Sequence, residues 1–378
     1  MERATLAGRL ACRCHFDLHS SISRSTTTLC QMTTVMRWRS RTLFAAACMA
    51  GLVFLLFRKS GKDTMTLNLF PMHGAARSST LPCLDLPGAG DAVVVLRTGS
   101  TELQDKLPVH LSTTLQCYPN YLVFSDYEEI YHGETIVDVL SSVSKQILDD
   151  HPDFELYRRL KRLGRSALLA SELSSAESEA IQWHGKTQNP GWKLDKWKFL
   201  PMVNRTFSEF PDKKWYIFVE ADSFIFWRST LQYLALMDHT KPHYSGSQMF
   251  IGDVLFAHGG SGFFVSLPAM RMVVDYHASH QEKIEKFTDG HWAGDCVLGK
   301  VFKDAGVHFT NSWPIFQGDY PGIVPYAKPD DRPVADVKTR VWCYPTISYH
   351  HLSPEIVEDL WYFEQRWFKS NPMVRLLQ

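Results

Sequence analysis

The chain alternates between short apolar runs and stretches in which apolar residues recur every three or four positions. The first pattern predicts strands buried on both faces of a sheet, and the second predicts helices that pack against it. Residues 92–96 and 121–124 form two such runs, and Leu107, Leu111 and Leu115 mark a helix between them, with Pro108 in its first turn. This βαβ unit lacks the Gly-x-Gly-x-x-Gly turn, which disfavours a dinucleotide-binding Rossmann protein.

The most informative apolar run covers residues 215–219, because two carboxylates follow it immediately. Glu220 and Asp222 are separated only by Ala221. Open α/β sheets bind their ligands at the carboxyl ends of the strands, and strand alternation would point both carboxylates the same way. The pair is therefore a candidate site for a hard divalent cation that also binds a diphosphate. The alternative is a strand followed by a solvated turn, since acidic residues often follow strands.

Other predicted strand ends and turns carry candidate nucleotide contacts. Thr98 and Gly99 follow the first strand, and Asp126 follows the second. Gly260 and Gly262 lie in a loop of small residues before another apolar run, where backbone amides are able to approach a ligand closely. Ordinary turn residues are the alternative interpretation in each case.

A helix is predicted over residues 193–207, with a kink at Pro201. Lys196 on this helix is a further candidate cofactor contact. Trp192 and Trp197 fit either the lining of a sugar site or the hydrophobic core, and the helical spacing favours the core.

Two later segments combine chemical side chains with helix starts. Asp295 precedes an apolar helical stretch, where a carboxylate is usually an N-cap. His350 and His351 precede a helix that Ser353 is suited to cap, with Pro354 in its first position. Histidines are more often structural or exposed than metal ligands, so position alone assigns neither imidazole a role.

Composition limits the classes of function. With 378 residues, 45% of them hydrophobic, the chain is long enough for a large core and two domains by length. Formal net charge is zero and no basic stripe is present, which argues against nucleic acid as a partner. The cysteines match no zinc-binding pattern. Four cysteines lie after residue 58, namely Cys83, Cys117, Cys296 and Cys343, and three disulfide pairings are open to them.

An uncharged stretch of about 15 residues, 43–57, is flanked by basic residues. Three interpretations compete: a core helix, a cleaved signal peptide and a signal anchor. The absence of a polar stripe disfavours the first, and the distance from the N-terminus disfavours the second. We therefore expect a cytosolic tail at 1–41, a transmembrane signal anchor at 42–58, a stem at 59–90 and a luminal domain at 91–378. The short span suits a Golgi or other early secretory membrane.

The motifs occur in an order that resembles family 31 of the inverting glycosyltransferases, the fringe and core 1 β1,3-galactosyltransferase type, and its fungal members in particular. They are Val-Val-Leu-Arg-Thr-Gly (94–99), Phe-Ser-Asp (124–126), Lys-Trp-Tyr-Ile-Phe-Val-Glu-Ala-Asp (214–222), Gly-Gly-Ser-Gly-Phe (259–263), Gly-Asp-Cys-Val-Leu-Gly (294–299) and Ser-Tyr-His-His (348–351). The resemblance implies an α/β fold of the GT-A type, with a Rossmann-like mixed sheet flanked by helices after a single N-terminal transmembrane helix. It also implies a UDP-sugar donor, Mn²⁺ and a type II Golgi membrane protein.

The resemblance also implies roles for individual residues. Glu220 and Asp222 match the outer members of the family's Asp-Asp-Asp metal motif, Ala221 replaces the middle one, and His350 matches the histidine that completes the metal shell. Asp295 matches the general base. The expected reaction transfers a hexose or N-acetylhexosamine, galactose being favoured, to a hydroxyl of a glycan or glycoprotein through a β1,3 linkage.

Two other classes of function stay open. Ala221 is compatible with an inactive GT-A-like protein that binds nucleotide sugars or glycans. A metal-dependent hydrolase is disfavoured, because a two-metal site needs more clustered carboxylates and histidines. A homodimer is a further open expectation.

Overall fold

The computed structural model describes residues 81–173, 189–324, 326, 329–330, 339–341 and 344–371. The predicted tail, the anchor, residues 59–80 of the stem and Cys343 lie outside these ranges. Among the described helices, none is long and apolar enough to cross a membrane.

The main sheet has eight strands in the order β11-β7-β10-β5-β1-β2-β4-β3. Neighbours in the central group β5, β1, β2 and β4 are parallel, whereas β10 and β3 run antiparallel to their neighbours. The strands of this sheet are β1 (Ala92–Arg97), β2 (Tyr121–Ser125), β3 (Glu129–Tyr131), β4 (Glu134–Asp138), β5 (Trp215–Glu220), β7 (Tyr244–Gly246), β10 (Phe263–Ser266) and β11 (Phe309–Asn311). The predicted mixed α/β sheet is thereby confirmed.

Six short strands form three separate pairs, β6 with β14, β8 with β9, and β12 with β13. They are β6 (Phe224–Ile225), β8 (Gln248–Ile251), β9 (Val254–Ala257), β12 (Pro329–Asp330), β13 (Thr339–Arg340) and β14 (Ser348–Tyr349). The pair β6 and β14 matters most for the site, because it joins the segment after β5 to a segment about 120 residues later.

The described helices are α1 (Leu103–Ser112), α2 (Lys145–Asp150), α3 (Glu155–Leu163), α4 (Pro190–Glu209), α5 (Trp227–Leu234), α6 (Leu267–Asp289), α7 (Gly294–Asp304) and α8 (Pro354–Ser370). Two hydrophobic clusters cover the two faces of the sheet. Tyr216 and Phe218 of β5 face α4, α6 and α7, whereas Ile217 and Val219 face the side that holds α1 and α5. The central strands are therefore buried on both faces, as their uninterrupted apolar pattern predicts.

The predicted start of α1 was wrong. Pro108 lies inside the helix, which begins at Leu103. The backbone N–H groups of Glu102 and Leu103 both donate to the carbonyl of Gly99, so the chain turns into the helix directly after β1. The predicted helix over 193–207 is present as the longer α4, which begins at Pro190 and contains Pro201.

A disulfide joins Cys83 to Cys117. Cys83 lies in the part of the chain expected to be stem, and its carbonyl accepts a hydrogen bond from the Trp227 indole N–H at 3.2 Å. Cys296 is a free, buried thiol in α7. Residues 81–90 are therefore tied covalently and by packing to the sheet domain.

Candidate functional site

The carboxyl ends of the parallel strands β1, β2 and β5 lie at one edge of the sheet. Glu220 is the last residue of β5, but Asp222 lies in the turn that follows rather than in the strand. Strand alternation therefore does not orient Asp222. The turn does, since its backbone is closed by the Ser223 N–H, which donates to the Glu220 carbonyl at 3.0 Å.

The pairing of β14 with β6 brings His350 to both carboxylates. Its Nε2 lies 3.3 Å from Asp222 Oδ1 and 3.7 Å from Glu220 Oε2. The backbone N–H of Leu352 donates to the Asp222 carbonyl at 2.9 Å, which fixes the two segments together. His351 follows in a left-handed conformation with φ of 58°, and its ring stacks on that of His350 at 3.8 Å between centroids.

These side chains fit a divalent metal. Asp222, His350 and His351 each offer a ligand atom, and the three atoms lie within 4.8 Å of one another. His350 is 6% exposed, and its Nδ1 has no hydrogen-bond partner among the described residues. One carboxylate and two imidazoles are a mixed oxygen and nitrogen set of the kind that Mn²⁺ and other transition metals accept. The geometry thus adds His351 to His350, the histidine that the family resemblance matched to the metal shell.

Two cations that the sequence did not single out compensate the carboxylates. Arg97, the last residue of β1, forms ion pairs with Glu220 and with Asp195 of α4. Lys106 of α1 lies 3.3 Å from Asp222 Oδ2. Arg97 and Glu220 are register partners in adjacent parallel strands, so their contact was detectable once β1 and β5 were paired.

The ion pairs shift the pKa values of the cluster in opposite directions. Burial opposes ionisation of Glu220, but Arg97 and His350 outweigh it and lower the pKa of Glu220 to about 2. Burial likewise opposes ionisation of Asp222, whose pKa falls well below its usual value because of Lys106 and His350. The two carboxylates in turn overcome the burial of His350 and raise its pKa to about 10. The cluster therefore strongly favours a positive charge at the His350 position.

The glycine loop makes room for this imidazole. A Cβ built on Gly260 would lie 2.1 Å from Cε1 of His350, which no side chain permits. Gly262 has φ of 75°, a left-handed conformation that suits glycine. The Ser223 hydroxyl donates to the Gly260 carbonyl at 2.7 Å. The sequence predicted that the backbone of this loop approaches a ligand closely, and the group that lies against Gly260 in the structure is the imidazole of His350.

Asp295 is the second residue of α7 rather than its N-cap, which is Ala293, so the N-cap interpretation was wrong. Its Oδ2 accepts from the Gly259 N–H at 2.9 Å, and its Oδ1 accepts from the Cys296 N–H at 2.8 Å. Burial and the charge of Glu220 raise the pKa of Asp295 to about 6, against the opposing effect of those two N–H groups. A carboxylate with such a pKa is suited to exchange protons near neutral pH.

The strand ends expected to bind a nucleotide form a second polar cluster. Asp126 is fully buried, and its Oδ1 accepts from the Ser100 N–H at 2.8 Å. The Lys198 ammonium lies 3.2 Å from Asp126 Oδ2 and donates to the Thr98 carbonyl at 2.9 Å. Burial alone would raise the pKa of Asp126, but Lys198 and the hydrogen bonds from Ser100 together outweigh burial and lower that pKa. Gly99 lies next to the ammonium of Lys198 and the carboxylate of Asp126. A Cβ built on Gly99 would lie 3.2 Å from Lys198 Nζ.

Lys196 lies outside this cluster. Its ammonium forms an ion pair with Asp153 at 2.9 Å and donates to the Asp289 carbonyl at 3.1 Å. The lysine of α4 that reaches the strand ends is Lys198, two residues later and on a different side of the helix.

The two tryptophans of α4 also differ in their burial. Trp197 is buried in the core, as its spacing predicted, and its indole N–H donates to Asp153 at 3.0 Å. Trp192 is 54% exposed, so the core interpretation was wrong for this residue.

A cavity of about 410 Å³ lies between α4 and α6. Its wall includes Trp197, Asn204 and His277 but neither Asp222, His350 nor Asp295. It is therefore distinct from the cluster at the sheet edge.

No protein-family model and no curated protein matches this chain.

Proposed function

We propose that this chain is an inverting, UDP-sugar-dependent hexosyltransferase of the GT-A type. One observation carries the proposal: three separate segments bring a metal-binding set and a carboxyl of raised pKa to the same edge of the sheet. Asp222 comes from the turn after β5, His350 and His351 from the segment after β14, and Asp295 from the start of α7. Gly259 links Asp295 to the metal-binding set, because its N–H donates to Asp295 and its Cα lies next to the carboxylate of Glu220.

Asp222 and His350 are the proposed Mn²⁺ ligands, and His351 supplies a third donor. Glu220 is the fourth candidate, although Arg97 already holds one of its oxygens. Bound Mn²⁺ supplies a Lewis acid for the charge that develops on the leaving diphosphate. The cluster of Thr98, Gly99 and Asp126 lies at the same sheet edge and is proposed to position the nucleoside.

Asp295 is the proposed general base. Its carboxylate would take the proton of the acceptor hydroxyl as that oxygen attacks the anomeric carbon from the face opposite the diphosphate. A single displacement inverts the configuration, so no protein nucleophile is required. The N–H groups of Gly259 and Cys296 hold the carboxylate in one orientation, and its pKa of about 6 leaves it mostly ionised at neutral pH.

The expected donor carries galactose or another hexose, or an N-acetylhexosamine. The acceptor is a glycan or glycoprotein hydroxyl, with a β1,3 linkage as the expected product. The setting is the lumen of the Golgi or another secretory compartment, reached through an N-terminal anchor. The donor, acceptor and linkage rest on the family resemblance, whereas the anchor and the compartment also rest on the uncharged segment 43–57.

The test is a panel of UDP-sugars incubated with the full-length protein, Mn²⁺ and glycan acceptors. We expect transfer from one donor, and a loss of about 10² to 10⁴ in turnover for Asp295→Asn. UDP binding in the presence of Mn²⁺ should persist in that variant, because the side chain of Asp295 accepts its hydrogen bonds from the backbone of Gly259 and Cys296 rather than from the proposed metal ligands. Near-wild-type turnover by Asp295→Asn would remove this residue from the mechanism.

A specific observation also supports a second candidate, a luminal nucleotide-sugar or glycan-binding protein without transferase activity. Glu220 and Asp222 are already paired with Arg97 and Lys106, and Ala221 stands where the family has a third carboxylate. UDP binding that requires Mn²⁺, together with no transfer from any donor in the panel, would favour this candidate.

A further inference from the structure

The two oxygens of Asp222 face different partners. Oδ1 lies 3.3 Å from His350 Nε2, on the side of the proposed metal ligands. Oδ2 lies 3.3 Å from the ammonium of Lys106. A single carboxylate thus connects the histidine cluster to a cation of α1.

Lys106 has a second partner that keeps it at the site. Its ammonium lies 3.0 Å from Oε2 of Glu102, which precedes it by one helical turn, and its side chain is 11% exposed. Oε1 of Glu102 accepts a hydrogen bond from the Thr98 hydroxyl at 3.4 Å. Lys106 therefore lies between the carboxylate of the metal cluster and the strand end proposed to position the nucleoside. A diphosphate that joins a nucleoside to a metal ion has to cross this interval.

A lysine ammonium and a divalent cation compete for the same carboxylate. Their charges repel each other, and within a partly buried site water screens this repulsion only weakly. Four carbons separate the ammonium from its backbone, so Lys106 is able to leave Asp222 while Glu102 retains it. An ammonium freed in this way is a point-charge donor suited to phosphate oxygens.

On the basis of the proposed function, we propose that Lys106 exchanges partners when the donor binds. It neutralises Asp222 in the absence of a divalent cation, and it contacts the diphosphate when Asp222 binds that cation. The same side chain therefore opposes binding of the metal alone and favours binding of the metal with a nucleoside diphosphate.

Opposite changes in two affinities test this exchange. In Lys106→Met, the Kd for Mn²⁺ alone should fall roughly tenfold, because the competing cation is gone. The Kd for UDP at saturating Mn²⁺ should rise roughly 10- to 100-fold, because a charge-assisted contact is lost. Both constants are measured on the full-length protein by titration calorimetry. A lysine with a purely structural role would move the two affinities in the same direction or leave both unchanged.

Two controls make the comparison specific. Lys145→Met removes another lysine of a helical i,i+4 pair, the exposed pair with Asp149, and should change neither affinity. Lys106→Gln is a second neutral variant in case the methionine variant fails to fold. Lys106→Arg keeps the positive charge, so it should still oppose binding of Mn²⁺ alone and favour binding of UDP with Mn²⁺.

The outcomes separate the two proposals. Wild-type protein that binds neither Mn²⁺ nor UDP would overturn the proposed function itself. Wild-type binding of both, with unchanged or weakened Mn²⁺ binding in the neutral Lys106 variants, would overturn the exchange alone. Unchanged UDP affinity in those variants would overturn it as well.

Discussion

The imidazole of His110 donates a hydrogen bond from Nε2 to the carbonyl oxygen of Ala221, at 2.8 Å. A carbonyl only accepts, so Nε2 carries the proton and Nδ1 accepts from the Thr114 hydroxyl, also at 2.8 Å. Burial lowers the pKa of His110 to about 4, which keeps the ring neutral. The Ala221 N–H donates to the Arg97 carbonyl at 3.0 Å. The backbone of Ala221, between Glu220 and Asp222, is therefore held by hydrogen bonds at both its carbonyl and its N–H group.

We expect His110→Leu to weaken Mn²⁺ binding by about 10- to 100-fold, the usual effect of removing a group that orients metal ligands. Leucine fills much of the space but donates no hydrogen bond, so the turn that carries Asp222 loses one of its supports. Titration of the purified protein with Mn²⁺ measures the effect without relying on turnover.

His110→Gln is the matched variant, because its amide keeps an N–H donor and should recover part of the lost affinity. Thermal unfolding should be followed in parallel. Equal Mn²⁺ affinity in the leucine and wild-type proteins would show that the bond from His110 supports the fold but not the metal cluster.

Gly260→Ala should abolish high-affinity Mn²⁺ binding. The added Cβ would lie between 2.1 and 2.5 Å from three atoms of the His350 ring, which is closer than any non-bonded contact allows. Either the loop or the imidazole has to move, and His350 then leaves Asp222. Gly90→Ala is the matched control, because its Cβ would meet nothing within 4 Å. Wild-type affinity in Gly260→Ala would remove His350 from the ligand set.

The raised pKa of Asp295 predicts the pH dependence of the proposed transfer reaction. The base is active only when ionised, so kcat/KM should fall about tenfold per pH unit below its pKa of about 6 and level off above it. Mn²⁺ and UDP affinities measured at each pH separate this effect from loss of the metal. A profile that stays flat from pH 7 to pH 4.5 would contradict the assignment of Asp295 as base.

Local patterns predicted those parts of the fold that depend on local sequence. The strands β1, β2 and β5 were visible as apolar runs, and their burial on both faces followed from the lack of alternation. The start of α1 was missed, because Pro108 suggested a first turn while the Gly99 carbonyl begins the helix earlier.

The site depended on contacts that no local pattern contains. Pairing of β6 with β14 determines that His350 meets Asp222, and the register of β1 with β5 determines that Arg97 meets Glu220. Lys196 and Lys198 differ by two helical positions, and only the packing of α4 decides which one faces the strand ends. The assignment of Glu220, Asp222 and His350 as neighbours came from the resemblance, and the structure does bring them together.

A buried carboxyl in α8 gives a prediction about stability. Glu364 of α8 is 4% exposed, and its Oε1 accepts from the Arg228 N–H at the start of α5, at 3.1 Å. Burial raises the pKa of Glu364 to about 8 from its usual 4.5, although the Arg228 N–H and guanidinium act in the opposite direction. Between pH 4.5 and about 8, Glu364 therefore holds a proton in the folded state that it has released in the unfolded state.

The free energy of unfolding should consequently decrease as pH rises from about 5 to about 8, because the contribution of the protonated carboxyl is complete below 4.5 and lost near 8. Glu364→Gln keeps an acceptor for the Arg228 N–H without a titrating group, so the decrease should become smaller in this variant. Urea unfolding at a series of pH values measures both slopes. Glu358→Gln, an exposed change on the same helix, should keep the wild-type slope. If Glu364→Gln and wild type show the same slope, Glu364 is ionised in the folded protein and its contact with α5 is that of a carboxylate.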